Sequence, residues 1–107
     1  MLQPEKIFEE ICNRFLENFP EVEAGKMMRA PALKVNGKVF CFFHQEKMGF
    51  KLGKETDIER EELKEAEYLS PFKNKPPMKN WFILPFVSLE QWENLAEEAL
   101  ERVSNEK

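Results

Sequence analysis

Asn36-Gly37 lies between Leu33-Lys34-Val35 and Lys38-Val39-Phe40, and no other stretch of the chain restricts the fold as tightly. A two-residue turn between antiparallel strands needs positive φ at both central positions. Asn and Gly adopt that conformation at least cost, so the alternating flanks read as a hairpin. The turn sets Val35 opposite Lys38 and Leu33 opposite Phe40, with Leu33, Val35, Phe40 and Phe42 on one face. The run Lys47–Leu52 alternates as well, with Met48, Phe50 and Leu52 as its apolar set. How this run joins the hairpin decides which face is core. A two-residue loop at Gln45-Glu46 pairs Phe43 with Met48 and aligns the apolar set with Val39 and Cys41. A three-residue loop, His44 to Glu46, pairs Phe42 with Met48 and Phe40 with Phe50. Because a slip of one residue exchanges every side chain between the faces, the two loops predict different cores. The three-residue loop is the preferred expectation, since it gathers Leu33, Phe40, Phe42, Met48, Phe50 and Leu52 on one side. Lys34, Val39, Cys41, Phe43, Lys47 and Lys51 then share the other.

Two helices frame these strands. From Pro4 to Asn18 the residues Ile7, Phe8, Ile11, Cys12, Phe15 and Leu16 form one wide apolar stripe, with Pro4 in the first turn where its missing donor is harmless. Phe19-Pro20 ends that helix. Ser88-Leu89-Glu90-Gln91 has the spacing of a capping box, and Leu89, Trp92, Leu95, Ala96, Ala99, Leu100 and Val103 continue from it as a buried stripe. A second box, Thr56-Asp57-Ile58-Glu59, predicts a short acidic helix to about Glu67 in which only Ile58, Leu63 and Ala66 are candidates for burial. Asn80 to Pro85 contains Trp81-Phe82-Ile83-Leu84, apolar on both sides, as expected of an interior strand. Lys26 to Arg29 reads as an edge strand, and Pro31 confines whatever crosses it to an edge or a bend. Pro71 to Pro77 is the longest stretch expected to be irregular. The order is helix, three or four strands, helix, strand, helix. That order predicts an α+β fold of two layers, a mainly antiparallel sheet with helices on one face.

At 107 residues the chain makes one domain with one core. Its 42% apolar content, including ten Phe and two Trp, is that of a globular protein even with 34% charged residues. The formal charge of −4 argues against affinity for nucleic acid over the whole surface, but the charges are segregated along the chain. Residues 1–25 hold six acids and two bases, and residues 26–54 hold one acid and seven bases. Residues 55–67 have seven acids and two bases, 68–87 three lysines and no acid, and 88–107 six acids and two bases. Acidic blocks coincide with expected helices and basic blocks with strands, so the fold should carry an acidic helical side and a more basic sheet side. No stretch has the length or apolarity of a membrane span, and Met1 to Lys6 lacks the pattern of a secretory leader. Cys12 and Cys41 read as reduced, packed thiols. The expectation is a soluble, cytoplasmic protein without membrane association.

Catalytic chemistry finds little support. His44, the only histidine, sits three residues after Cys41, and the pair has the residue types of a thiol nucleophile and its base. It has no evident third group to orient it, and an exposed turn residue is the simpler reading. One His and two separated Cys give no metal-ligand spacing, and the four glycines never cluster into a phosphate-binding loop. The carboxylates fall at solvent-facing helical positions. The chain is therefore expected to be no enzyme, with no cofactor and no metal. What remains is surface recognition. Lys34, Lys47 and Lys51 beside Phe43 make a basic and aromatic patch, with Lys26, Arg29 and Lys38 at its margin. Such interleaving holds phosphates and bases, although lysines on a sheet face also serve solvation and edge protection. Phe43, Val39 and Cys41 on that face would then need a cover, from the irregular segment, a tail or a second subunit, and the alternative reading is a protein-interaction or homodimer module.

Three stretches together are familiar. Lys26-Met27-Met28 followed by Ala30-Pro31-Ala32-Leu33-Lys34-Val35-Asn36-Gly37-Lys38-Val39-Phe40 resembles the first signature of the MmcQ/YjbR-like family. Pro77-Met78-Lys79-Asn80-Trp81-Phe82-Ile83-Leu84-Pro85 resembles its second, and the helix Trp92 to Val103 its third. Met28 stands where the pattern more often has Phe. The resemblance implies a two-layer α+β fold similar to TfoX N-terminal domains and secretion-chaperone-like folds. It implies DNA binding of a double-wing type and supplies no catalytic residue.

Overall fold

The computed structural model describes residues 3–70 and 76–106. Helix α1 spans Pro4–Asn18, with Pro4 in the first turn, and buries Phe8, Ile11 and Phe15. Ile7 and Cys12 pack partly against the same core, while Leu16, at the margin of the stripe, is left exposed. Four strands follow as a meander: β1 (Val22–Met27), β2 (Ala30–Val35), β3 (Lys38–His44) and β4 (Lys47–Lys51). A short strand β5 (Glu67–Leu69), the longer β6 (Met78–Leu84) and helix α2 (Leu89–Ser104) complete the described chain. All pairings are antiparallel and the sheet order is β1-β2-β3-β4-β6-β5. The doubly apolar strand β6 thus has neighbours on both edges, as its composition requires. The expected edge strand at residues 26–29 starts earlier, at Val22, and Met28-Arg29 form its turn.

The register at the third hairpin differs from expectation. Phe43 pairs with Met48 and His44 with Lys47, so the loop is the two-residue Gln45-Glu46. The core set nevertheless stays nearly intact, because β3 carries a bulge. Lys34 pairs with Val39 and Leu33 with Cys41, which leaves Phe40 as the extra residue. Phe40 and Cys41 are consecutive and both wholly buried in the helix-side core, and beyond them the alternation of β3 is reversed. A bulge inserts one residue and turns the following side chains over. Thus Leu33, Phe40, Met48, Phe50 and Leu52 share the helix side as expected, whereas Phe42 crosses to the other side.

Both helices lie on one face. Phe8, Ile11 and Phe15 of α1 and Trp92, Leu95, Ala96, Ala99, Leu100 and Val103 of α2 form one cluster with Leu33, Val35, Phe40, Phe50, Phe82 and Leu84 of the sheet. Phe40 faces Phe15 with ring centroids 6.1 Å apart, and its truncation to Ala should cost about 3–5 kcal/mol. Trp92 is fully buried beside Phe43 and Phe86, and its Nε1 has no hydrogen-bond partner among the described residues. The second cluster, Ala30, Ala32, Phe42, Trp81 and Ile83, lies on the opposite face and, among the described residues, contains sheet residues alone.

Two helical expectations are corrected. Residues 56–66 form no acidic α-helix. Thr56 Oγ1 donates to the Leu52 carbonyl at 2.6 Å, and Asp57 Oδ1 accepts from the Glu59 amide at 2.9 Å. A single 3-10 turn over Glu61–Leu63 follows before β5. Closely spaced like charges at Glu59, Glu61, Glu62 and Glu65 oppose a helix, and one buried leucine cannot offset them. Leu63 is buried and Ile58 and Ala66 pack partly on the core, so the three apolar positions still point inward. The segment is tied to α2 by Arg60, which donates to Glu98 at 2.8 and 2.9 Å and to Glu62 at 2.9 Å. At α2, Ser88 ends a 3-10 turn and its side chain makes no cap, so the capping box does not form. The stretch expected to be irregular, Pro71 to Pro77, lies mostly outside the described residues. Among the described residues no helix is long and apolar enough to cross a membrane.

Candidate binding face

The sheet face away from the helices is assembled by simple alternation. Ala30, Ala32 and Lys34 project there from β2, Val39, Phe42 and His44 from β3, and Lys47, Gly49 and Lys51 from β4. Lys34 lies over the neighbouring edge strand, its aliphatic stem close to Gly25. Lys47 donates to Glu67 of β5 at 3.2 Å, and Lys51, at the end of its strand, reaches Glu106 beyond α2 at 3.4 Å. Lys34 and Lys47 therefore share this face, whereas the Lys51 side chain, assigned to it by alternation, turns round the strand end to the hollow beside α2, and both Lys47 and Lys51 are already paired with acids.

The other expected members of the patch are elsewhere. Phe43 points to the helices, stacked on Phe8 with centroids 5.2 Å apart and edge-on to Trp92 at 6.3 Å. The two-residue loop and the bulge place it there, so it cannot serve as the aromatic contact or as the centre of a self-association surface. Cys41 is also inside, and of the three apolar positions expected on this face only Val39 stays on it. Lys38 pairs with Val35 on the helix side, at the sheet end that carries the Asn36-Gly37 turn. Arg29 sits exposed in the turn at the opposite end. The basic residues are thus spread over both ends of the sheet.

The thiol and imidazole considered as a nucleophile pair are separated by the sheet. Cys41 is wholly buried under the helices and desolvation pushes its thiol well above the usual cysteine range, while His44 is exposed on the far face. Among the described residues no three His, Cys, Asp or Glu side chains converge as metal ligands do.

One feature that sequence reasoning missed occupies this face. Between the turns Met28-Arg29 and Gln45-Glu46 and strand β5 lies a cleft of about 440 Å³. Ala30, Phe42 and Ile83 form its apolar base, Met27, Met28 and Leu69 border it, and His44, Gln45, Lys47, Glu67 and Ser70 supply polar groups, while the Tyr68 ring turns to Phe82 on the helix side. The size and the mixture fit those of small-molecule sites, which run to roughly 300–1,000 Å³ with a mainly apolar lining and a few directed polar groups. A larger hollow of about 650 Å³ lies between the loop after β4 and the end of α2. It is walled by charges that neutralise one another, Arg102 with Glu55 and Lys51 with Glu106, and lacks an apolar floor. No sequence signal marked the smaller cleft, because its base is made by Phe42, which only the bulge delivers to this face.

Compared with known proteins, the chain matches no family model, no curated protein and no solved structure.

Proposed function

We propose that this chain is a non-enzymatic binding domain of the YjbR-like kind, which recognises its partner with the sheet face opposite α1 and α2. The observation that carries this reading is that Lys34, Lys47 and the cleft lie on that one face, while both helices are committed to the core on the other side. The separation of Cys41 from His44 supports a role in binding rather than catalysis. A phosphate backbone is the partner class that the lysines favour. Exposed ion pairs such as Lys47 with Glu67 contribute only about 0–1 kcal/mol, so phosphates can displace the acids at little cost. Arg29 at the cleft end would extend contact along this face, whereas Lys38, on the helix side, would not.

Titration of a fluorescent duplex and of a single-stranded oligonucleotide at low and moderate salt tests the nucleic-acid form of this reading. Affinity should fall steeply with salt, as counterion release requires, and replacing Lys34, Lys47 and Lys51 by Gln should weaken binding and flatten that dependence. Binding indifferent to the three lysines, or none at low salt, removes nucleic acid as the partner.

A further inference from the structure

We infer that the cleft beside residues 28–29 and 45–46 binds a small amphipathic carboxylate, one in which the acid group is joined to an aromatic or branched aliphatic group. This rests on the binding reading above in one respect, that recognition uses this face of the sheet.

The three hairpins of the meander provide an internal comparison. All three turns hold positive φ at both central residues: 48° and 73° at Met28 and Arg29, 53° and 77° at Asn36 and Gly37, 52° and 65° at Gln45 and Glu46. Left-handed backbone is costly for a residue with a full side chain, and Asn-Gly is the pair that avoids most of that cost. The turn remote from the cleft has Asn-Gly. The two turns at the cleft have Met-Arg and Gln-Glu, and the first residue of each lines it. Strain of this kind persists where a side chain is needed in place, so its restriction to the cleft end marks that end as functional.

The chemistry of the lining selects the ligand. Phe42 and Ile83 beneath, with the flexible thioethers of Met27 and Met28 alongside, suit an apolar group of variable shape. At the rim, the Lys47 side chain is 44% exposed and that of its partner Glu67 is 65% exposed. The base is therefore the more enclosed member and the acid the more peripheral. His44 is the cross-strand partner of Lys47 and lines the same cleft, offering a second nitrogen at the same rim. In this arrangement Glu67 already supplies the carboxylate that Lys47 takes. A ligand carboxylate replaces it, and the apolar group seats against Phe42.

The test is calorimetric titration of the full chain with 3-phenylpropionate, its neutral amide 3-phenylpropionamide, and acetate. Circular dichroism confirms that each variant is folded. The carboxylate should bind, the amide about tenfold more weakly, the difference expected of one charge-assisted contact, and acetate not measurably. Lys47→Gln should bring 3-phenylpropionate to the level of the amide. Glu67→Gln should act in the opposite direction and tighten binding severalfold, because it removes the internal competitor. Equal affinity for the acid and the amide, equal weakening by both substitutions, or no binding of 3-phenylpropionate up to its solubility limit overturns the inference. If that failure is accompanied by lysine-dependent oligonucleotide binding, the cleft assignment falls and the binding face stands. If the oligonucleotides also fail, both fall.

Discussion

A β-carbon on residue 49 would stand 2.2 Å from Cε1 of Phe42, its cross-strand partner, so the Phe42 ring occupies the space that any side chain there would need. Ile83 Cδ1 closes the other side at 2.9 Å. Gly49 is therefore a matter of packing at the base of the cleft rather than of backbone freedom. Gly49→Ala should destabilise the protein by about 1–3 kcal/mol through overpacking, read as a lowered denaturation midpoint. In a Phe42→Leu background the penalty should shrink, since contacting residues couple. An equal penalty in both backgrounds would show that the ring is not what excludes the side chain.

The hairpin turns make a second prediction. Replacing Gln45-Glu46 by Asn-Gly should raise stability by about 1 kcal/mol in urea unfolding, because the strain at positive φ is relieved. The same exchange at Met28-Arg29 should do likewise, and placing Gln-Glu at Asn36-Gly37 should lower stability by a similar amount. A loss of stability from the first two exchanges would assign these side chains to the fold and not to the cleft.

The three turns also explain how much could be read beforehand. Asn36-Gly37 was legible because its chemistry is the chemistry its geometry demands. Gln45-Glu46 adopts the same geometry without the same residues, so the loop length there was misjudged and the register with it. The error cost little in the core, because the bulge at Phe40 turns the rest of β3 over and so keeps Met48, Phe50 and Leu52 on the helix side with Phe40 despite the shorter loop. It cost more at the surface, where Phe42 and Phe43 exchanged faces. The amphipathic periods of α1 and α2 and the doubly apolar run of β6 were plain in the sequence, since each reports burial directly. Residues 56–66 carried a capping signal without a stripe long enough to use it. Lys47 kept the parity expected relative to Lys34 because the bulge and the shorter loop offset one another, whereas the Lys51 side chain is drawn round the strand end to Glu106.

The thiols supply a prediction in pH. Burial, reinforced by the nearby Glu9 carboxylate, pushes Cys12 up to about 12 from an ordinary 9.0, and burial drives Cys41 in the same direction. A group whose folded-state pKa is raised contributes stability fully present below the unfolded value and lost as pH rises through the folded one. Stability should therefore decline between about pH 9 and pH 12 as the unfolded thiols ionise. Cys12→Ser and Cys41→Ala variants should show a shallower alkaline decline. At pH 8 both cysteines of the native protein should react with iodoacetamide far more slowly than those of the urea-unfolded chain, because the thiolate is the reactive form. Rapid alkylation of the native protein would contradict their placement.

The central claim is that recognition belongs to the sheet face opposite the helices, and the most direct test is to map which backbone amides move when a ligand is added. In a two-dimensional nitrogen-15 NMR titration with 3-phenylpropionate, the largest shifts should fall at Met28, Ala30, Phe42, His44, Lys47 and Ile83. Exposed positions of α1 and α2, such as Glu10 and Glu97, should stay still. Shifts centred on α1 and α2, with the cleft amides unmoved, would contradict the account.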